Sequence, residues 1–354
     1  MQRKTVWLIV ICVVVLSLVL ASYATAAPTA PTVPTAPITP TLPTAPTTPI
    51  APATPVAPST ETPKYGGQLA IAPLGRWTGF DLLYRSVSGY YPIGQTNETL
   101  LSGDWAKGPA GSNENDWATA SPIISHMTGY LAESWELPDA ETIIIHLRKG
   151  IHWALNPRFE ASRLVNGREV VANDIVYTIV KTYTAPGAYL LTRTMPEERP
   201  VSTTASDKYT VIIKTQKGFL GSLFQRVGSS TGYWPSEPRE KYGDMRDWKS
   251  TVGSGPFMIE DYVDASTITL IRNPNYWQKN PVGPDKGNQL PYVDGVKIFS
   301  ITDKSTRAAA FRTGKLDHLG GRSGGLVAED VNNLVQSNPG SMTKALAGAA
   351  FGRR

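Results

Sequence analysis

The hydrophobic pattern divides the chain into three parts. Apolar residues dominate without a charge from Val6 to Ala21. From Pro28 to Pro58 a proline occupies every third position, with Thr, Ala and a few aliphatics between. Only from Tyr65 onward do the periods of a folded domain emerge. β-Branched or alternating runs predict strands at Gln68–Ala72, Thr142–Leu147, Tyr209–Lys214 and Val296–Ile301. Phe257–Tyr262 and Thr267–Arg272 predict a hairpin across the polar turn Asp264-Ala265-Ser266. Three helices are expected. In Asn173–Tyr183, the side chains of Ile175, Val176, Ile179, Val180 and Tyr183 share one face, and Asn173 or Asp174 can cap the start. Asp303 caps a second helix through Arg312, with Gly314 placed for a left-handed C-terminal residue. A third covers Ala328–Gln336 and ends at Asn338-Pro339. Interleaved strands and helices with long loops predict an α/β or α+β sandwich rather than a barrel.

The first two parts have their own chemistry. Arg3 and Lys4 before the apolar run, with Ala24-Thr25-Ala26 after it, make residues 1–27 an export signal with a small-x-small cleavage site. The run approaches the ~20 residues that span a bilayer, so an uncleaved membrane anchor is the second reading. The lone cysteine, Cys12, lies inside it, without the Leu-small-small-Cys pattern for lipid attachment. Cleavage leaves a chain without disulfides or thiolate metal ligands. Residues 28–64 read as a Pro/Thr/Ala-rich linker. Polyproline II has three residues per turn, so the prolines line one edge of a stiff rod, on the order of 100 Å long at ~3.1 Å per residue.

Composition narrows the function. The formal charge is +5, or +3 without Arg3 and Lys4, and both signs are interspersed. Nucleic-acid binding gains no support from that balance. The nine Trp and fifteen Tyr are more suggestive, since several sit in loop contexts such as Gly232-Tyr233-Trp234. Loop aromatics line clefts or pack beneath loops, and both readings stand.

Six ordered segments resemble one family, the family 5 extracellular solute-binding proteins of peptide- and nickel-type ABC importers. They are Tyr65–Ala72, Leu131–Glu136 with Thr142–Trp153, Asn166–Tyr177, Val252–Phe257, Arg272–Trp277 and Gly314–Asp317. Arg272-Asn273-Pro274-Asn275-Tyr276-Trp277 is the family's sequence without change; Val171 replaces its usual Thr. The glycines of Val252-Gly253-Ser254-Gly255-Pro256-Phe257 are expected to supply φ > 0 for a tight turn. These are scaffold roles. Leu101–Met127, rich in Gly, Asn, Ser and Trp, looks like an inserted surface loop.

The resemblance implies a periplasmic-binding-protein-like type II fold. Two lobes clamp a peptide or other small solute and deliver it, without chemistry or cofactor, to ABC permease subunits outside the cytoplasm. Residues 65–319 correspond to the first lobe, and 320–354 to the start of the crossing into a second lobe that the chain lacks. A truncated form is therefore expected. Candidate ligand contacts are Trp77, Thr78 and Phe80 in the loop after the first strand, then Tyr233 and Trp234. Core packing is the competing role for each.

Three rival functions stand beside it. Gly228–Gly232 and Gly321–Gly325 fit the G-x-S-x-G pattern of a serine hydrolase, which needs a strand before the serine and a helix after it. His146 and His152 could share a metal only through a favourable backbone path, so no metal site is assigned. A surface-displayed interaction module, or a fragment without function, would suit the stalk and the single lobe.

Overall fold

The computed structural model describes residues 64–73, 79–85, 92–108, 112, 124–283, 285–319, 333–334 and 336–338. The export segment, the proline-rich stretch and the candidates Trp77 and Thr78 lie outside them. So do Gly321–Gly325 and most of the helix expected over 328–336.

Eleven strands are formed by the described residues: β1 (Gln68–Ala72), β2 (Leu101–Gly103), β3 (Met127–Gly129), β4 (Ala132–Asp139), β5 (Thr142–Leu147), β6 (Ser202–Asp207), β7 (Thr210–Lys214), β8 (Phe257–Val263), β9 (Thr267–Arg272), β10 (Gly295–Phe299) and β11 (His318–Leu319). The α-helices are α1 (Glu160–Val165), α2 (Ala172–Thr184), α3 (Leu220–Gln225), α4 (Ser236–Tyr242) and α5 (Lys304–Arg312). They build a five-stranded mixed sheet, β11-β1-β10-β9-β8, an antiparallel four-stranded sheet, β4-β5-β7-β6, and the small pair β2-β3. The α+β expectation holds.

The five-stranded sheet joins distant parts of the chain. β1 pairs in parallel with β10, Gln68 opposite Gly295, and with β11, Ile71 opposite His318. Only such long-range pairing lets a strand near residue 70 lie between two strands near 300 and 318. Ile71, Ile259, Ile268, Leu270, Val296 and Ile298 form its buried face. In the four-stranded sheet the inward positions of β5 and β7 are Ile143, Ile145, Leu147, Val211 and Ile213. Helix α2 packs on β6 and β7 through the face carrying Ile175, Ile179 and Tyr183. Each such side chain, fully buried, stabilises by about 1.5–3 kcal/mol. The two sheets thus have separate cores.

Three local expectations are corrected. Helix α2 begins at Ala172, with Val171 as its N-cap residue. Asp174 is not the N-cap residue but the third of the helix, and it caps the start from there: its Oδ2 accepts from the Val171 N–H at 3.0 Å. Gly253 and Gly255 do not have positive φ. They are glycines because a Cβ would lie 1.9 Å and 2.7 Å from the Thr96 carbonyl oxygen, too close for any side chain. The G-x-S-x-G segment ending at Gly232 runs through a helical turn, Arg226–Ser230, that continues α3. Ser230 therefore lacks the strand-to-helix turn a hydrolase needs. By contrast, Asp303 caps α5 as expected, accepting from Thr306 N–H at 2.7 Å, and Gly314 has φ +68°.

Candidate ligand-binding cleft

A cleft opens where three segments meet: the one following β1, the one entering α4, and the one ending at the signature loop. Phe80 and Asp81 line it from the first, Trp234 and Arg239 from the second, Met245 and Thr251 from the third. Its enclosed part has room for about one water molecule, and the rest of the space around it is open to solvent.

Its floor is held by a buried ion pair. Arg239 donates from Nη2 to Asp81 Oδ1, and the two residues are 7 % and 3 % exposed. Asp81 Oδ1 also accepts from Leu83 N–H at 2.9 Å, and Oδ2 from Met245 N–H at 3.3 Å. Arg239 donates to the Gly243 carbonyl at 3.3 Å and lies over the Trp234 ring, 5.5 Å from its centroid. Taking both charges out of water costs about as much as their attraction returns, so the pair fixes geometry more than it adds stability. Trp234 Nε1, Arg239 Nε and Thr251 Oγ1 are buried without a hydrogen-bond partner among the described residues. These atoms are shut away from solvent, behind the apolar walls of the cleft.

Sequence-predicted positions fall differently on this frame. Phe80 and Trp234 are brought together at the cleft, both largely buried in the core of the five-stranded sheet. Phe80 meets Tyr262 edge-on, with ring centroids 4.9 Å apart. Tyr233 faces the other way. It is wholly buried in the core of the four-stranded sheet, and its hydroxyl donates to the Val227 carbonyl at 2.8 Å. Asp81, Arg239 and Thr251 were not singled out from sequence. The usable signal was an aspartate directly after Phe80 in an apolar loop.

A second buried polar cluster lies beside the signature motifs. Glu98, 2 % exposed, accepts from Trp277 Nε1 at 3.0 and 3.1 Å and lies 3.0 Å from the Tyr276 hydroxyl. Burial pushes its carboxyl up to about 7, against the opposing donors of Ser254, Trp277, Tyr276 and Tyr130. Its neighbour Asn97 donates to the carbonyls of Tyr233 and Val252 at 2.8 and 3.1 Å. Asn273 donates to Gly255 O at 2.9 Å. Both signature stretches are thereby tied to residues 96–98, as scaffold.

The metal reading gains nothing from the histidines. His146 Nε2 contacts Glu136 at 2.8 Å and His152 Nδ1 contacts the Gly167 carbonyl at 2.7 Å. Among the described residues no group of three His, Cys, Asp or Glu could hold a metal ion.

The profile of the bacterial extracellular solute-binding proteins, family 5 Middle, matches residues 126–347. The chain belongs to this family. The periplasmic oligopeptide-binding protein OppA of Escherichia coli is 24 % identical over 215 residues, 56 % of this chain and 36 % of its own. The dipeptide-binding protein DppE of Bacillus subtilis is 25 % identical over 240 residues, 59 % of this chain and 39 % of its own. In fold, the family 5 chain is similar to the Bacillus subtilis oligopeptide-binding protein AppA solved with a nonapeptide: TM-score 0.56, 20 % identity, 78 % of this chain and 47 % of that one. The periplasmic-binding-protein fold is therefore established for this lobe. The chain spans somewhat over a third of these curated relatives and just under half of that solved structure.

Proposed function

We propose that this family 5 protein contributes one wall of a peptide-binding site and serves an ABC importer outside the cytoplasm. The reading rests on one observation above all: the family 5 profile matches residues 126–347, and relatives named for oligopeptides and dipeptides align with more than half of the chain. The cleft suits that cargo. Phe80 and Trp234 give an extended peptide aromatic faces to pack against. Both line the site, and Trp77 and Thr78, close to Phe80 in sequence, are proposed as further ligand contacts. Permease subunits receive the bound peptide, and ATP hydrolysis belongs to other subunits. Binding needs no bond making and no cofactor.

The remaining parts follow from the same role. Residues 1–27 direct export, 28–64 hold the lobe away from the membrane, and 65–319 form the lobe. Tethering through an uncleaved 1–27 is read from the N-terminal residue of the protein recovered from cells.

Photo-crosslinking tests the site. A nonapeptide carrying a benzophenone side chain is irradiated with the full chain, and the adducts are mapped by mass spectrometry. Adducts within 73–85 and 233–252, competed by unlabelled peptide, are expected. Adducts spread over the surface, unaffected by competitor, contradict the proposal.

A further inference from the structure

The Glu98 cluster contains one contact too many for the hydrogens it holds. Tyr276 Oη lies 3.0 Å from Glu98 Oε1, 2.9 Å from Gln278 Oε1 and 3.0 Å from Tyr130 Oη. Each hydroxyl carries a single hydrogen. Tyr130 can donate to Tyr276, and Tyr276 can donate onward to one oxygen, Glu98 or Gln278. With Glu98 ionised, one of those two short contacts joins two lone pairs and is repulsive. There are two remedies. A proton on Glu98 lets Glu98 donate to Tyr276 and Tyr276 donate to Gln278. Alternatively, the Gln278 amide turns over, its Nε2 donates to Tyr276, and Tyr276 donates to an ionised Glu98.

We infer that Glu98, Tyr276 and Gln278 form a proton switch in which uptake of one proton by Glu98 reverses the Tyr276 hydroxyl and the Gln278 amide together. Each state gives Tyr276 a donor or acceptor for all three of its contacts, and Tyr130, which also reaches Glu98, keeps its one hydrogen for either neighbour. The surroundings allow it. No cation pairs with Glu98 among the described residues. Arg148 is the near one, its guanidinium 5.3 Å from the Trp277 ring centroid, and it donates instead to the Tyr130 and Gly129 carbonyls. Trp277 is a neutral donor. Burial holds the Tyr130, Tyr233 and Tyr276 hydroxyls far above their ordinary range, so they stay neutral. Glu98 is left as the titrating group of the cluster, between its ordinary 4.5 and about 7.

Gln278 opens the long connection between β9 and β10, and the switch is felt there. The Gln278 carbonyl accepts from Leu290 N–H at 3.1 Å and from Gln289 Nε2 at 3.1 Å. Gln289 Nε2 also donates to the Tyr276 carbonyl at 2.6 Å. The side-chain amide that turns and the main-chain carbonyl that holds Leu290 and Gln289 thus belong to the same residue of the connection back to the sheet.

The sign is opposite to that of an ordinary salt-bridged acid. A carboxyl whose folded pKa is raised binds its proton more tightly folded than unfolded. Stability is complete below pH 4.5, falls as pH rises toward 7, and stays lower above it. Unfolding is measured by urea titration from pH 4.5 to 8.5 for the full chain, Glu98→Gln and Gln278→Leu. Glu98→Gln, a fixed mimic of the protonated state, should remove the part of the pH dependence equivalent to one proton. Gln278→Leu deletes the competing acceptor, and should move the transition to lower pH. Infrared spectroscopy of the unmodified chain keeps the test open if a variant fails to fold. At pH 6 the band of a protonated, buried carboxyl should integrate to one group per chain and fade by pH 8.5. A Glu98→Gln profile parallel to the unmodified one, a Gln278→Leu transition that stays or rises, or the absence of that band each overturns the switch.

Discussion

Gly253 is specified by space rather than by backbone conformation. An added Cβ would meet the Thr96 carbonyl, a backbone atom that cannot swing aside. Gly253→Ala should therefore destabilise at the upper end of the ~1–3 kcal/mol of an overpacked core. Gly314→Ala is the contrast. It has φ +68° and open space around it, so the cost is conformational, about 1–2 kcal/mol. Urea midpoints of the two variants check the order. The Asp81–Arg239 pair gives a sharper case. Asp81→Ala leaves a buried guanidinium without its partner and should cost about 3–5 kcal/mol, while Asp81→Leu with Arg239→Met should cost much less. A double-mutant cycle on urea unfolding measures the difference. Little of this was legible along the chain. Asp81 and Arg239 are 158 residues apart, and Glu98 meets Tyr276 and Trp277 at separations of 178 and 179. The motifs around Gly253 and Asn273 were visible as motifs, but the atom they pack on, the Thr96 oxygen, belongs to a segment with no distinguishing composition.

Central elements were legible because burial writes itself into their residues. The apolar runs of β5, β7 and β9, and the ends of α2, appear in sequence within a residue or two of their observed bounds, but of the stripe expected on α2 Val180 is exposed while Thr178 and Thr182 are buried. Edge strands were not. β4 is exposed along most of its length and contains Pro138, and β6 reads Ser-Thr-Thr-Ala-Ser-Asp. Neither alternates cleanly, and both form because β5 and β7 offer them backbone partners. Of the candidate ligand contacts, the pair Tyr233 and Trp234 shows the same limit. Adjacent aromatics face separate cores, which composition cannot distinguish. One acidic side chain ties several of these elements together. Glu169 accepts from Gly150 N–H at 2.6 Å, Lys208 Nζ at 2.7 Å and the Tyr209 hydroxyl at 2.9 Å. The Lys208 contact, with Gly150 and Tyr209, holds its carboxyl down at about 2. A depressed folded pKa stabilises above the ordinary 4.5 and is lost as pH falls through 2, the reverse of Glu98. Glu169→Gln should lower the neutral plateau of a stability–pH profile and flatten its acid limb. Circular dichroism during acid titration reads this directly.

At the scale of the molecule, two sheets with separate cores are joined by a chain that leaves the five-stranded sheet after β1, builds the four-stranded one, and returns. The cleft lined by Phe80, Asp81, Trp234 and Arg239 lies along that passage. Family 5 membership rests on residues 126–347, and the fold on 78 % of the chain superposing on AppA. The alignment with OppA nevertheless covers only 36 % of that relative. Peptide binding by this polypeptide is thus the claim on which the functional account turns. Isothermal titration calorimetry of the full chain against defined di-, tetra- and nonapeptides, with free amino acids and sugars as comparison, tests it most directly. Saturable heat with peptides, absent for the comparison solutes, is the predicted result. No heat with any peptide, or saturable binding of a sugar instead, would contradict it.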